Sequence, residues 1–344
     1  MKIVIDRMIP FVEGVFEPYA DVVYLKGEDI SHADIVDADA LMIRTRTRCS
    51  ADMLSGTAVR VIATAAISTD NIDMEYCREH GIFVSNAPGS NAGGVMNYVF
   101  SALYGTAARK SLRLEGKTMG IIGVGNVGKR VERMALYLGF KVLKCDPPRM
   151  EAEGPDGFCD LDTLLAGSDI VTLHVPLLPE TRGMVNREFL SKMRPGAFFI
   201  NASRGEVEDE SALKEAIPNL GPVIIDTWNN EPDIDRELLE KVDIATPHIA
   251  GYSYQGKQNG TAMSVRSLAR FFRFRQLYEF FPKTEVLELE SIKLDLEGRT
   301  EGEVASVLQY NYPIFTDDFM FRMDPGAFER LRSQYQYRRE FYVD

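Results

Sequence analysis

The sequence predicts an α/β fold: a Rossmann-type doubly wound parallel sheet, a flavodoxin-like domain before it, and a small C-terminal α+β domain. Two observations carry this prediction. Short apolar strands alternate with helical segments along most of the chain, which is the pattern of parallel sheets. Near the middle of the chain, a glycine-rich turn joins one of these strands to an amphipathic helix, as in dinucleotide-binding units.

Composition excludes several functional classes. The 344 residues are 45% hydrophobic and 26% charged, as in ordinary globular proteins, and suffice for two or three domains. The net charge of −12 argues against nucleic-acid binding, which needs a basic face. No apolar run reaches the ~20 residues of a membrane span, and the N-terminus lacks a signal-peptide core. The four cysteines and four histidines are scattered, so we expect no metal site and reduced thiols in a cytoplasmic protein.

The first 95 residues contain five predicted strands and their own α/β rhythm. A helix is expected at 71–79, between two of the strands. The strands are expected at 2–6, 22–25, 40–43, 59–63 and 82–85. This alternation indicates a parallel, flavodoxin-like sheet.

Arginine and threonine alternate directly after the third strand, in the run Arg44-Thr45-Arg46-Thr47-Arg48. In an extended conformation the three arginines would project to one side. Ligands of open α/β sheets bind beyond the carboxyl ends of the strands. The run therefore predicts a guanidinium site for a phosphate or carboxylate, although a solvated basic turn is an alternative that the run alone leaves open.

The glycine-rich turn has G-x-G-x-x-G spacing. Gly123, Gly125 and Gly128 stand between an apolar strand and a helix that Gly139 ends. The first glycine permits the tight turn, the second lets the backbone approach a pyrophosphate, and the third lets the helix pack close to the strand. The helix N-terminus then offers N–H groups to the phosphates. These features predict dinucleotide binding.

An acidic residue completes the dinucleotide pattern. Asp146 ends the next strand, 141–144, and lies 18 residues after Gly128. There a carboxylate can accept hydrogen bonds from the ribose hydroxyls and repel a 2′-phosphate. The sequence therefore predicts NAD as the cofactor.

The remaining elements before residue 250 continue the doubly wound pattern. A crossover helix is expected from about 91 to 108, and further strands and helices follow Asp146. The strands are expected at 170–176, 197–203, 222–226 and 243–248, and the helices at 161–168, 187–196 and 210–217.

Three polar residues follow consecutive predicted strands of this sheet. Arg204 follows INAS, Glu231 follows IIDTWNN, and His248 follows IATP. A cation that binds an anion, an imidazole near neutral pKa and a carboxylate that orients it are what hydride chemistry on a hydroxy acid requires. We expect these three side chains to form the catalytic set.

Over roughly residues 40–255, the chain resembles the D-isomer-specific 2-hydroxyacid dehydrogenase family. The motifs GVGNVG with Asp146, HVPLLPETRGMVN, MRPGAFFINASRGEVED, DTWNNEP and TPHIAG occur in the family's order and spacing. The resemblance implies NAD-dependent oxidation of a hydroxy acid, with Arg204, Glu231 and His248 as catalytic residues. It also implies a discontinuous substrate domain, to which the chain returns through a long helix after about residue 254.

Within the family, the chain is most similar to members that act on a small phosphorylated hydroxy acid. The stretches ALMIRTRTR, APGSNAGGVMNYVFSALY, CDPPR and PHIAGYSYQGKQNGT carry this similarity. It implies substrate contacts at Arg44, Thr45, Arg46, Ala66 and Tyr252. Ala66 and Thr45 depart from the threonine and serine usual at these positions. The implied cofactor-binding set is Gly123, Gly125, Asn126, Val127, Gly128, Asp146, Ala202, Ser203, Asp226 and Gly251.

The expected domains are a substrate-binding domain (1–95 and 254–284), an NAD-binding domain (96–253) and a C-terminal domain (285–344). In the last, a half-exposed strand is expected at 285–296 and helices at 301–309 and 325–341. The resemblance implies that this domain forms a homodimer, whereas wrapping onto its own subunit is the alternative. A sibling dehydrogenase and a non-catalytic NAD(H) sensor remain alternative functions.

Overall fold

The computed structural model describes residues 1–283 and 290–344. The predicted boundary at 284/285 and the first part of the predicted strand 285–296 lie outside the described residues. The chain divides into two units, Met1–Asn91 with Ser253–Glu290 and Ala92–Tyr252 with Ser291–Asp344. The predicted C-terminal domain thus falls almost entirely within the second unit, and the functional roles of the units stay predictions.

Within the described residues, the chain forms thirteen strands and fourteen α-helices. The strands are β1 (Lys2–Asp6), β2 (Asp21–Leu25), β3 (Ala40–Ile43), β4 (Val61–Thr64), β5 (Phe83–Ser85), β6 (Thr118–Ile122), β7 (Lys141–Cys145), β8 (Ile170–Leu173), β9 (Phe198–Asn201), β10 (Val223–Ile225), β11 (Ile244–Ala245), β12 (Ile292–Lys293) and β13 (Phe341–Tyr342). The helices are α1 (His32–Ile35), α2 (Ala51–Leu54), α3 (Met74–Glu79), α4 (Ala92–Arg109), α5 (Asn126–Tyr137), α6 (Pro147–Glu153), α7 (Leu161–Gly167), α8 (Arg187–Lys192), α9 (Glu210–Ala216), α10 (Arg236–Lys241), α11 (Tyr254–Phe272), α12 (Glu301–Asn311), α13 (Ile314–Met323) and α14 (Phe328–Ser333).

The first unit contains a five-stranded parallel sheet in the order β2-β1-β3-β4-β5. This is the flavodoxin-like order, and it confirms the predicted fold. β3 and β4 are buried along their whole length, as strands covered on both faces must be. One core lies under α1–α3, and another lies under α11, which contributes Val265 and Leu268. The long helix expected after residue 254 is therefore present.

The second unit contains a six-stranded parallel sheet in the order β11-β10-β9-β8-β6-β7. The chain reverses its direction across the sheet between β6 and β8, which makes the carboxyl ends of these strands the expected ligand crevice. α4 and α5 pack on one face, and α7 and α8 contribute to the core on the other. α4 is buried from Ala92 to Ala107, because α5 and α12 pack against it as well.

The predicted element boundaries are less accurate than the predicted elements. α3 begins at Met74 because the side chain of Asp73 accepts a hydrogen bond from the Tyr76 N–H and caps the helix. β8 and β9 end three and two residues earlier than predicted, at Leu173 and Asn201. The chain leaves the sheet at these points to form the loops of the ligand crevice.

The sequence-based predictions are least accurate for the C-terminal segment. The predicted helix at 301–309 is confirmed as α12, capped by Thr300 and Glu303. The predicted helix at 325–341 is wrong: α14 ends at Ser333, and the chain finishes as β13, paired with β12. The side chain of buried Asn97 on α4 bonds both the N–H and the C=O of Phe341, which holds this end extended. Helix α13 was not predicted.

We find no helix among residues 1–283 and 290–344 with the length and apolar character needed to cross a membrane.

Candidate active site and cofactor site

The glycine-rich turn has the geometry that its spacing predicts. Gly123 has a φ of +84°, and a Cβ there would come within 2.6 Å of the His174 carbonyl oxygen. At Gly128, a Cβ would collide with the Gly123 carbonyl at 2.1 Å, so only glycine lets α5 pack this closely. A Cβ on Gly125 would meet no atom within 4 Å, because this position faces open space at the N-terminus of α5. The turn therefore fits the pyrophosphate of a dinucleotide.

Asp146 lies at the carboxyl end of β7 and contacts this turn. Its Oδ2 accepts a hydrogen bond from the Val124 N–H at 2.7 Å, and its Oδ1 accepts one from the Arg149 N–H at 3.1 Å. Arg149, which the sequence analysis did not single out, donates to the Val124 carbonyl at 2.9 Å and pairs with Glu153. The carboxylate is thus fixed beside the glycine turn, where the ribose of a dinucleotide would lie.

The structure brings two of the three predicted catalytic side chains into direct contact. Nδ1 of His248 lies 2.8 Å and 3.1 Å from the two carboxylate oxygens of Glu231. Both side chains remain partly accessible, at 28% and 18%. Because Nδ1 is held by the carboxylate, Nε2 is the ring atom that can face a ligand.

Opposing influences act on the pKa of Glu231. Burial raises the pKa of its carboxyl group, but the charge of His248 and the hydrogen bonds from His248 and the Trp228 N–H lower it further than burial raises it. The nearby charge of Arg332 acts in the same direction. The net pKa of Glu231 therefore lies below its ordinary value, and the group is ionised at neutral pH.

Arg204, the third predicted catalytic residue, begins the loop after β9. Its Nη1 donates to the Ser203 carbonyl at 2.7 Å, and the side chain is half-buried. The next residue, Gly205, lies so close to the loop after β10 that a Cβ would be 2.0 Å from the Trp228 carbonyl carbon. Glu210, the first residue of α9, also accepts a hydrogen bond from the Asn229 N–H. The loops that carry Arg204 and Glu231 are therefore packed together.

Asp226, predicted to line the cofactor site, is buried at the end of β10 and supports the loop that carries His248. Its Oδ1 accepts from the Thr246 hydroxyl at 2.7 Å and the Ile249 N–H at 2.8 Å, and its Oδ2 accepts from the Ala250 N–H at 2.9 Å. His248 has a φ of +54° between these anchors. This conformation is costly for a non-glycine residue and persists where its surroundings enforce it.

The other predicted cofactor residues lie on further segments of the second unit. Ala202 and Ser203 follow β9, where Asn201 accepts hydrogen bonds from both the N–H and the hydroxyl of Ser203. Asn126 and Val127 open α5, next to Gly125. Gly251 follows the Asp226-anchored loop and is partly exposed. All of them lie in the second unit at carboxyl ends of strands.

Tyr252, predicted to contact substrate, is the last residue of the first segment of the second unit. Its ring packs edge-on against Tyr335 at 6.0 Å and Tyr337 at 6.3 Å between centroids. The segment after α14, which was predicted to be helical, thus lies against the loop of His248. Nothing in the local sequence pattern points to this contact.

The arginine run of the first unit is not extended, so its predicted alternation is wrong. A turn follows β3, with the Thr47 N–H bonded to the Arg44 carbonyl. Nε of Arg44 donates to the fully buried Asp6 carboxylate at 2.7 Å. Thr45 is exposed and Arg46 half-buried. The sequence analysis missed Asp6 because it lies on β1, and only the sheet order brings β1 beside β3.

The loop that contains Ala66 lies beside this turn. Asn71, on the same loop, donates from its side-chain amide to the carbonyls of Arg44 and Thr47 at 3.2 Å and 2.6 Å. A bridge between Cys49 and Ile72 adds a second connection. Thr45, Arg46 and Ala66 therefore belong to one surface at the carboxyl ends of β3 and β4.

Comparisons with known proteins indicate one family. Residues 98–250 match the model of the NAD binding domain of D-isomer specific 2-hydroxyacid dehydrogenases. The chain is 43% identical over 347 aligned positions to erythronate-4-phosphate dehydrogenase of Bacteroides fragilis, with 99% of this chain and 97% of that protein covered. It is 39% identical to the same enzyme of Porphyromonas gingivalis over 351 positions, with 99% and 94% covered.

A similar solved structure is NAD⁺-bound 3-phosphoglycerate dehydrogenase of Entamoeba histolytica. It is 26% identical, superposes with a TM-score of 0.69, and the match covers 83% of this chain and 99% of that one.

We predict that the buried Glu208 makes the stability of the fold pH-dependent. Burial raises its pKa to about 8 from 4.5, although Asn201 donates to it. Its contribution to stability is complete below about pH 4.5 and is lost as pH rises through about 8. Between these limits the unfolded chain has released a proton that the folded chain keeps. The free energy of unfolding should therefore fall by about 1.4 kcal/mol per pH unit.

Urea unfolding from about pH 5 to about pH 8 checks this prediction. The Glu208→Gln variant should lack this fall, and the exposed control Glu151→Gln should keep it. Parallel pH dependence in all three chains would contradict the assignment.

Proposed function

The chain belongs to the D-isomer-specific 2-hydroxyacid dehydrogenase family, and on that premise we propose that it oxidises 4-phospho-D-erythronate with NAD. The product is 2-oxo-3-hydroxy-4-phosphobutanoate, an intermediate in pyridoxal 5′-phosphate biosynthesis. The single observation that carries the chemistry is the contact between His248 and Glu231, in the unit that also holds the glycine turn. Relatives named for this activity align with almost the whole chain, which supports the choice of substrate.

NAD supplies the hydride acceptor when it is bound beside the glycine turn. The chain's own residues then bind the carboxylate of the substrate and accept the proton of its hydroxyl group. Arg204 binds the C1 carboxylate of the substrate through forked hydrogen bonds. His248 takes the C2 hydroxyl proton on Nε2, because its Nδ1 is engaged by Glu231. Glu231 holds the ring in place and stabilises the imidazolium that forms.

Recognition of the distal phosphate belongs to the first unit in this proposal. Arg44 is already paired with the buried Asp6, so its charge is largely compensated. The half-buried Arg46 and the exposed Thr45 are the proposed phosphate contacts, and Tyr252 is a further proposed substrate contact. Ala66 can contribute only backbone groups and a methyl group.

A second candidate substrate is 3-phosphoglycerate. The similarity to a solved 3-phosphoglycerate dehydrogenase favours it, and the same catalytic residues would serve. A non-catalytic NAD(H) sensor is less well supported, because a sensor has no need for the contact between His248 and Glu231.

Steady-state NADH formation with purified protein and NAD tests the substrate assignment. We expect turnover of 4-phospho-D-erythronate to exceed that of 3-phosphoglycerate, D-lactate and unphosphorylated D-erythronate. A 2-oxo acid should be included so that slowly released NADH is reoxidised on the protein. Preference for another acid would keep the family chemistry and refute the substrate.

The same panel tests the phosphate site. Arg46→Gln should lower kcat/KM for the phosphorylated acid by about 10–100-fold, the value of a hydrogen bond to a charged group. The effect on D-erythronate should be much smaller. The control Arg78→Gln changes an exposed arginine of α3 and should leave both substrates unaffected. Equal losses on both substrates would contradict the phosphate role of Arg46.

His248→Ala should lower kcat by roughly 10²–10⁴-fold, the usual contribution of a general base. NAD affinity, measured by fluorescence titration, should stay unchanged. His80→Ala, at the end of α3 in the first unit, is the matched control and should keep full activity. If the His248 variant keeps its kcat, His248 is not the base.

The chain is proposed to act as a homodimer through α12 and α13. Phe319, Met320 and Met323 share one face of α13 and are 60%, 49% and 68% exposed, and Tyr310 on α12 is 87% exposed. Exposed apolar groups of this kind mark interaction sites, and twofold dimers are the commonest oligomers.

We expect Phe319→Lys to sediment as a monomer at concentrations at which the unaltered chain is a dimer. The control Leu136→Lys changes a similarly exposed residue on α5 and should stay dimeric. A monomeric unaltered chain would refute the proposal.

The proposal also places the enzyme in the cytoplasm. Its four cysteines are free thiols, and burial raises the pKa of Cys49 to about 12 and of Cys145 to about 11. Thiols of this kind are poor nucleophiles, and reducing compartments keep them unpaired.

A further inference from the structure

One cation close to the His248–Glu231 contact has no role in the reaction described above. Arg332 lies on α14, and its Nη1 is 3.7 Å from Oε2 of Glu231, the same oxygen that lies 2.8 Å from His248. The Arg332 side chain is 14% exposed. At 3.7 Å the contact is an ion pair without hydrogen-bond geometry, and its low exposure limits solvent screening.

The fold fixes the position of Arg332 through aromatic packing. Phe328, one helical turn earlier, lies 5.7 Å beneath the guanidinium. Its ring packs on Phe321 at 5.6 Å, and Phe321 packs on Trp228 at 6.0 Å. Trp228 donates its backbone N–H to Glu231. A continuous buried contact therefore ties α14 to the loop that carries Glu231.

We propose that Arg332 is a positioning residue of the dehydrogenase reaction, which balances the charge of Glu231 so that His248 is unprotonated when substrate binds. This inference rests on the proposed function. In the oxidation direction His248 must start as the neutral imidazole. Unopposed, the Glu231 carboxylate would favour the imidazolium. A guanidinium beside the same oxygen weakens that effect while leaving the orienting contact to Nδ1 in place.

Three other ionisable groups of the second unit, Asp226, Tyr98 and Tyr335, do not supply this balance. Asp226, from the end of β10, carries a carboxyl whose pKa burial raises, and as an anion it would favour the imidazolium too. Tyr98 and Tyr335 have pKa values raised by burial and carry no charge at neutral pH. The interaction of Arg332 with Glu231 thus has the sign opposite to that of the nearby carboxylates.

A purely structural role makes a different prediction. If Arg332 only packs on Phe328, its loss lowers activity equally at every pH. If it balances Glu231, its loss moves the acid limb of the kcat/KM profile to higher pH, and activity recovers in alkaline solution. The lysine variant keeps the charge and should restore the unaltered profile.

The experiment compares the unaltered chain with Arg332→Gln, Arg332→Lys and the control Arg330→Gln. Arg330 lies on the same helix but is exposed and paired with Asp324. With 4-phospho-D-erythronate and NAD, the acid limb of Arg332→Gln should move up by about half to one pH unit. Activity on that limb should then fall by roughly three- to tenfold. A loss that is uniform with pH, or an unchanged profile, overturns the proposal.

Imidazole NMR gives a readout that does not need turnover. The chain has four histidines, so single-histidine variants such as His80→Ala can assign their ring signals. The His248 signal should titrate at higher pH in Arg332→Gln than in the unaltered chain, and the exposed His32 should not change. An unshifted His248 titration overturns the proposal. A lack of turnover in the unaltered chain refutes the proposed function instead, and the NMR titration still decides the role of Arg332.

Discussion

The buried carboxylate of Asp226 is the constraint on which the site depends. It accepts three hydrogen bonds from the loop after β11, which holds His248 in a left-handed conformation. Burial raises the pKa of Asp226, while these bonds and the charge of His248 oppose the rise. Loss of its hydrogen bonds would leave buried N–H groups unpaired, which costs about 1–3 kcal/mol each. The geometry of this loop and the orientation of the His248 imidazole therefore both depend on the hydrogen bonds to Asp226.

Neighbouring loops extend this constraint across the sheet. The indole Nε1 of Trp228 donates to the Thr246 carbonyl at 2.9 Å, which joins the loop after β10 to the loop after β11. Gly205 joins the loop after β9 to the same tryptophan. Parallel strands end at one edge of the sheet, so loops that are distant in sequence become neighbours there. Buried contacts of the backbone fix the positions of these loops, and the ionisable side chains that the loops carry can remain partly accessible to a ligand.

The sequence predicted what depends on local spacing and on the ends of parallel strands. The glycine turn, Asp146 and the parallel α/β character of both sheets follow from short patterns, and so does the placement of Glu231 and His248 on adjacent loops. It could not predict contacts made through tertiary packing. Asp6 meets Arg44 only because β1 lies beside β3, and Arg332 reaches Glu231 only through Phe328 and Phe321. The segment after Ser333 has helical composition, but the buried side chain of Asn97 holds its end extended.

The C-terminal segment also covers one edge of the second sheet. β11 is one of the two edge strands of this sheet, and an unpaired edge presents free N–H and C=O groups. Asp318 on α13 accepts a hydrogen bond from the Ala245 N–H at 2.7 Å, and Arg322 donates to the Val242 carbonyl at 2.8 Å. Helix α13 therefore completes the edge of the strand that leads to His248, and the chain then turns into α14 and places Arg332 beside Glu231. Because the same segment covers the sheet edge and supplies that cation, truncation would remove both its packing and the contact of Arg332 with Glu231, and only single substitutions separate the two.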